Sequence, residues 1–328
     1  MGSRKGALAE TGRRGSFGVM FHHFCGEGHP RGQGAISQEE FGRLLEFVGL
    51  KRIRPADEWL EKAAADRLAD GDLCLTFDDN LLCQWEIALP VLEALGLTAF
   101  WFIYTSPLTG VPETLEIYRY FRTVCFESVD DFYEGFLSAL RQSEYAAEVK
   151  RALDGFDPDS YLAAFPFYSS SDRLFRYLRD RVLGPDRYER VMEAMIESSA
   201  MDREEAAKRL WMSKEQIAAL HRQGHVIGLH SHTHPTRLAD LPGDRQSNEY
   251  RLNLEILTDL TGQAPLSVSH PCNSYNQETL DILSGLGIRV GFSTLMEPPH
   301  PHRLARPRLD HALIMRELRE KAGSLANQ

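Results

Sequence analysis

Cysteine is scarce and scattered: Cys25, Cys74, Cys83, Cys125 and Cys272 are odd in number among 328 residues and form no Cys-x-x-Cys pair. That excludes a disulfide framework or a thiolate metal site as the basis of the fold and leaves most of them as small core residues. Long apolar runs are missing as well. The longest, Ala94 to Tyr104, is about half the roughly 20 residues of a membrane-spanning helix and is interrupted by Thr98, so it is expected to be a buried strand. Basic charge is in deficit, with 37 Lys+Arg against 47 Asp+Glu and a net charge of -10, and no dense basic block appears. Phosphate-backbone binding therefore lacks its electrostatic footprint, and nucleic acid is excluded as the main partner. The N-terminal MGSRKGALAETGRRGSFG is positively charged but has no apolar core after it, unlike a signal peptide. Residues 1–15 are expected to be a disordered leader and the protein cytoplasmic.

The chain is 43% apolar and 26% charged, as in ordinary soluble proteins, and long enough for one large domain with an elaborate insertion. Residues 16–106 alternate short apolar runs with helical patterns, the signature of a parallel sheet built from βα units. Strands are predicted over Gly18–Phe24, Leu73–Phe77 and Thr98–Tyr104. A helix starts at Ser37, with Glu40 completing a capping box, and another spans Trp85–Leu95 and is closed by Gly96. From 107 to 210 the pattern becomes helix after helix, rich in Phe, Tyr, Arg and Asp. This reads as a helical insertion, with Ser128 and Ser171 as N-caps and a helix over Tyr188–Ile196; its aromatic stripes are core, or else a lid or an oligomer interface between copies. The βα rhythm resumes over 211–314 with strands Val226–Leu229, Leu266–Ser269 and Val290–Ser293, and 315–328 forms a C-terminal helix or tail.

Two segments carry chemistry. Leu73-Cys-Leu-Thr-Phe-Asp78-Asp79-Asn80 puts adjacent carboxylates just past a buried strand, at the edge where parallel βα folds place their active sites. Neighbouring carboxylates repel unless a cation or proton intervenes, so one can bind metal while the other stays free as a base. The bland alternative is a pair of helix caps near Leu81. The second segment, Val226-Ile-Gly-Leu-His230-Ser-His232-Thr-His234-Pro235, has three histidines in five positions at another strand end. Imidazoles with a carboxylate suit Zn, Fe, Ni or Co. On an extended strand all three would share a face, whereas on a turn His230 and His234 can converge.

Thr76-Phe-Asp78-Asp79 followed by His230-Ser-x-x-His234-Pro resembles the first two motifs of the polysaccharide deacetylase family, the NodB-homology or carbohydrate esterase family 4 enzymes. Leu89-Pro-Val-Leu-Glu-Ala-Leu-Gly-Leu-Thr-Ala-Phe-Trp-Phe and Gln223-Gly-His-Val-Ile-Gly resemble the surroundings of those motifs. The resemblance implies an α/β fold, a distorted (β/α) barrel with about seven parallel strands. It also implies a divalent metal, Zn by default with Co, Ni, Mn or Fe as alternatives, held by Asp79, His230 and His234. Asp78 would be the general base of a hydrolase that removes an acetyl group from an amino-sugar glycan or sugar-nucleotide precursor, and His232 would lie outside the ligand set. Met20-Phe-His22-His23 resembles a first-strand motif near the metal, and Pro307-Arg308 a late strand whose Arg orients the catalytic carboxylate, with Arg306 as a competitor.

The third motif departs from the family. Ser269-His270-Pro271-Cys272-Asn273-Ser274-Tyr275-Asn276 keeps the proline and the Ser-Tyr-Asn end, and the late Leu-x-His that supplies a general acid is not recognisable. His22, His270 and His311 are the candidates for that proton. The altered motif also leaves open hydrolysis of another C–N bond or a degenerate glycan-binding member. An Fe(II) oxygenase would use the same three ligands, but the Asp-Asp pair counts against it.

Overall fold

The computed structural model describes residues 15–163, 168–297 and 302–326, so the expected leader, apart from Gly15, lies outside the described residues. The chain forms two compact units, one from residues 1–29, 34–113 and 211–328, the other from 30–33 and 114–210. The first unit is built on seven parallel strands: β1 (Phe17–Phe21), β2 (Leu73–Asp78), β3 (Phe100–Ile103), β4 (Val226–Leu229), β5 (Ser267–Ser269), β6 (Val290–Phe292) and β7 (Arg308–Asp310), ordered β6-β5-β4-β3-β2-β1-β7. The two edges approach each other just before β7. Phe292 bridges Arg306 in parallel, and the Arg306 N–H donates to Gly291 O at 2.8 Å. Gly291 makes this possible, since a Cβ there would lie 2.2 Å from Leu304 O. The result is the expected distorted (β/α) barrel, nearly closed.

Alternation along the strands sorts the core into two shells. Phe17, Val19, Leu75, Phe77, Trp101, Ile227 and Val268 face outward into a large cluster under the helices. Cys74, Phe100, Phe102, Val290 and Phe292 form a second cluster with Trp59, which stacks on Phe292 at 5.2 Å. Trp59 belongs to a helix over Ala56–Ala64 that the sequence reading did not contain. Pro55, its N-cap, makes no side-chain capping bond, so the usual start signal is absent. Two predicted boundaries also move. The first strand ends at Phe21, and Phe24–Cys25 pairs separately with Ile36–Ser37. The C-terminal helix already begins at His311. Among the described residues no helix is long and apolar enough to cross a membrane.

The second unit contains helices but no strand among its described residues. Ser128 caps its helix with a full capping box, as expected, but the next helix starts two residues earlier than predicted, with Ser169 rather than Ser171 as N-cap. Asp172 is why: its carboxylate completes the box at Ser169 and also accepts from Gln33 and Tyr133. Phe132, Phe136, Phe175 and Tyr188 pack edge to face within this unit, so the aromatic stripes do form a core.

One buried histidine of the barrel unit gives its stability a pH dependence. His225 is 4% exposed, and its Nδ1 accepts from the Ala99 N–H at 3.0 Å. Burial pushes its pKa from 6.5 down to about 4. The unfolded chain therefore takes up the proton first as pH falls, and the stability His225 supplies, complete above about pH 6.5, drains away towards pH 4. Taking one pKa unit as about 1.4 kcal/mol, the loss is on the order of 3 kcal/mol. Urea unfolding at pH 7 and pH 4.5 checks this: His225→Gln, which still offers an acceptor, is expected to lose less stability between the two pH values than the parent does. Equal losses would remove His225 as the cause.

Candidate active site and metal centre

Period two along β2 turns Asp78 to the same inner side as Cys74 and Thr76, at the carboxyl end of the strand. Asp78 is 2% exposed. Its charge is met by Arg308, which is fully buried and fills the barrel interior 5.9 Å from the ring centres of Phe102 and Phe292. Every arm of the guanidinium is used: Nε donates to Ser293 O at 2.9 Å, Nη1 to Asp78 Oδ1 at 2.8 Å and to Thr76 Oγ1 at 3.3 Å, and Nη2 to Ser269 Oγ at 2.7 Å. The Ser269 hydroxyl in turn donates to Asp78 Oδ2 at 3.0 Å. Burial alone would raise the Asp78 pKa, but Arg308, with His230 and His22, outweighs it and holds the carboxyl below its ordinary value. Asp78 is thus an ionised, doubly anchored carboxylate.

Asp79 faces a different set of partners. Its Oδ1 lies 3.2 Å from His230 Nε2 and 3.4 Å from His234 Nε2, and it has no hydrogen-bond partner in the described structure. The His230 Nδ1–H donates to Ser269 O at 2.8 Å, so in the neutral ring Nε2 presents a lone pair to the carboxylate. Burial pushes the His234 pKa down to about 4 and leaves that ring neutral at pH 7. Asp79 sits far below the usual carboxylate range, because the surrounding imidazoles outweigh its burial. His230 is itself raised, since the carboxylates outweigh its own burial. Lone pairs and negative charge converging on one point are the donor set of a divalent cation. The observed separations also suit it, because tetrahedral ligands at about 2.0–2.1 Å from zinc stand roughly 3.4 Å apart. Among the described residues this is the one cluster with metal-ligand spacing.

The local backbone is what produces the convergence. Of eight non-glycine residues with positive φ, six lie in the loops after β2, β4 and β5: Asp79, Asn80, Ser231, His234, Cys272 and Asn273. Such conformations cost free energy and persist where the surroundings impose them, as at functional sites. With Ser231 at φ 62 and His234 at φ 56 the histidine segment is a turn and not an extended strand. His230 and His234 therefore meet while His232 leaves, its Nδ1 2.9 Å from Thr105 Oγ1. The helix-cap alternative for the Asp pair does not hold either. Asp78 belongs to the strand, and the helix that follows has no side-chain capping bond.

The remaining candidates separate clearly. His22 lies at the mouth, 29% exposed, with Nε2 3.9 Å from Asp78 Oδ2 and 4.0 Å from Asp79 Oδ2. His270 is fully buried, its Nε2–H donating to Leu304 O at 2.7 Å and its ring stacked on Tyr275 at 4.2 Å. His311 has its two nitrogens against the carbonyls of Met20 and Gly34. Both of these histidines brace backbone, so of the three acid candidates His22 is the one set against the carboxylates. The Arg306 guanidinium bonds Ala63 O and Asp66, which leaves Arg308 alone with Asp78.

Several site residues had no distinguishing signal in the sequence. Tyr104 stands 5.1 Å from the His234 ring and accepts a hydrogen bond from the Trp211 indole. Gln84, in a π-helical turn, donates to both His22 O and Asp78 O and so ties β1 to β2 at the mouth. Ser269 holds Asp78 by its hydroxyl and His230 by its carbonyl. None belongs to a motif of spaced ligands; each is defined by strand register.

Comparison with known proteins points the same way. A family model described as polysaccharide deacetylase matches residues 191–291. That stretch contains His230, His234 and the 269–276 loop, while Asp78 and Asp79 come from outside it. No curated protein matches the chain. Among solved structures, IcaB from Ammonifex degensii is similar over 90% of this chain and 91% of its own, with 15% identity and a TM-score of 0.54. The Streptococcus pyogenes deacetylase PplD in complex with acetate covers 89% of this chain and 91% of its own, with 14% identity and a TM-score of 0.51. The barrel is common to all three chains, and with the matched stretch it places this protein in the polysaccharide deacetylase family.

Proposed function

We propose that the protein is a metal-dependent hydrolase that removes the N-acetyl group from an amino-sugar glycan or glycan precursor, with Asp79, His230 and His234 holding the metal. The observation that carries this reading is the pairing of two adjacent carboxylates in different roles: Asp79 Oδ1 within 3.4 Å of two imidazole nitrogens, and Asp78 fixed by Arg308 and Ser269. A bound divalent ion, zinc by its donor set, would acidify water and polarise the acetyl carbonyl. Asp78 is the general base. It is ionised, it retains lone pairs beyond the two it gives to Arg308 and Ser269, and it takes the proton as water adds to the carbonyl carbon. His22, on the open side of both carboxylates, is placed to hand a proton to the amine as the C–N bond breaks. The products are acetate and a free amino sugar, and the acetate held by the streptococcal relative is consistent with them.

A second reading rests on the 270–276 loop. His270 and Tyr275 stack there in place of the family's usual third motif, which would admit another amide on the same machinery. One assay separates the two. Metal-stripped protein resupplied with Zn, Co or Ni is given a panel of N-acetylhexosamine polymers, oligomers and nucleotide sugars, with acetate and free amine measured in parallel. Metal-dependent release of both in equal amounts is the expected outcome. A protein that binds metal but releases neither from any substrate would transfer the weight to the other amide, or to glycan binding without catalysis.

A further inference from the structure

The turn that carries His230 and His234 is held almost entirely by side chains from elsewhere. The His230 N–H donates to Asn253 Oδ1 at 2.9 Å, and the His232 and Thr233 N–H groups donate to Glu249 Oε2 at 3.0 and 2.8 Å. Thr233 Oγ1 donates to Glu249 Oε1 at 2.8 Å. Glu249 and Asn253 stand one turn apart on the helix Gly243–Thr261, so a single helix face grips both arms of the turn. Asn253 also donates to Ile103 O at 2.9 Å and to Thr105 Oγ1 at 3.2 Å, and Thr105 and Ser106 donate their N–H groups to His232 O. The end of β3, the histidine turn and the helix are thereby one hydrogen-bonded block. Asn253 is fully buried, so its four-way bonding leaves it no freedom to turn.

The turn needs this grip. Ser231 and His234 have positive φ, which their own side chains disfavour, and without outside partners the segment would relax towards extended backbone and swing His234 away from His230. We propose that Glu249 and Asn253 are positioning residues for the metal centre: acting through the backbone of residues 230–234, they set the spacing of the two imidazoles and so the affinity for the cation. Neither residue touches the Asp79, His230 and His234 ligand atoms. The inference rests on the metal reading above.

Glu249→Gln and Glu249→Ala separate a positioning role from a merely structural one. Gln can still accept from both N–H groups through its carbonyl oxygen and face Thr233 Oγ1 with its amide; Ala offers nothing. Apo protein is titrated with Co(II), and both affinity and the visible ligand-field spectrum are recorded. Glu249→Ala is expected to bind about 10–100-fold more weakly with an altered spectrum, as for other groups that orient metal ligands from behind. Glu249→Gln is expected to keep the parent spectrum and nearly the parent affinity. Should Glu249→Ala not fold, Glu249→Asp, which withdraws the carboxylate by one methylene, is expected to weaken binding in its place. Parent-like affinity and spectrum in a folded Glu249→Ala, or in Glu249→Asp where that variant stands in for it, would overturn the proposal. Failure of the parent itself to bind Co(II) would instead overturn the metal reading beneath it.

Discussion

Asp78→Asn is expected to lower acetate release by about 10²–10⁴-fold, the usual contribution of a positioned general base, while leaving metal affinity near that of the parent. Asn preserves the volume and can still accept from Arg308, so the barrel interior is not emptied; what disappears is the oxygen that can take a proton. The metal ligands are a separate set, since Asp79 Oδ1 and not Asp78 faces His230 and His234. Asp79→Asn is therefore the informative counterpart. It removes the anionic ligand, and both metal binding and activity are expected to fall together. Acetate release and Co(II) titration on the two variants distinguish the roles: loss of metal from Asp78→Asn, or undiminished turnover by it, would show that the carboxylates had been assigned wrongly.

That division of labour between neighbouring residues was half legible in the sequence. The Asp-Asp pair at a strand end and the dense histidines were visible as chemistry, because such residues seldom cluster by chance at the ends of apolar runs. Local sequence does not say which carboxylate turns inward. Asp78 does so because it continues the alternation of Cys74 and Thr76, and Asp79 departs because its φ of 81 breaks that alternation. The strands and helices around the site read well for the same reason, since each buries one face with a regular period. The helix at Ala56–Ala64 escaped because it lacks a capping side chain, and the shift from Ser171 to Ser169 came from a carboxylate whose other partners, Gln33 and Tyr133, are distant in sequence. Spacing could not separate Arg306 from Arg308 as partner of Asp78. The barrel separates them: Arg306 joins the segment that closes the sheet beside β6, and Arg308 enters the interior. Glu249, Asn253 and Ser269 carry no motif at all, and their roles follow from which strand and which helix the fold sets beside the histidine turn.

The largest stability change is expected at Arg308. Replacing it with Met fills much of the same space but leaves the carboxylate of Asp78 buried without its cation, and it takes donors from Ser293 O, Thr76 Oγ1 and Ser269 Oγ at once. Breaking one side of a buried ion pair costs about 3–5 kcal/mol, more than the pair would lose if both members became neutral together. Arg308→Lys is not a rescue, because an ammonium is a point charge on a flexible stem and cannot reproduce a planar fork that reaches four acceptors. Chemical denaturation of Arg308→Met, Asp78→Asn and the double variant closes the cycle. The double variant is expected to be more stable than Arg308→Met alone, because removing the stranded charge relieves the penalty that the first substitution created. If the two single effects merely added, Arg308 would be acting as packing between Phe102 and Phe292, and the ionised state of Asp78 would need another source.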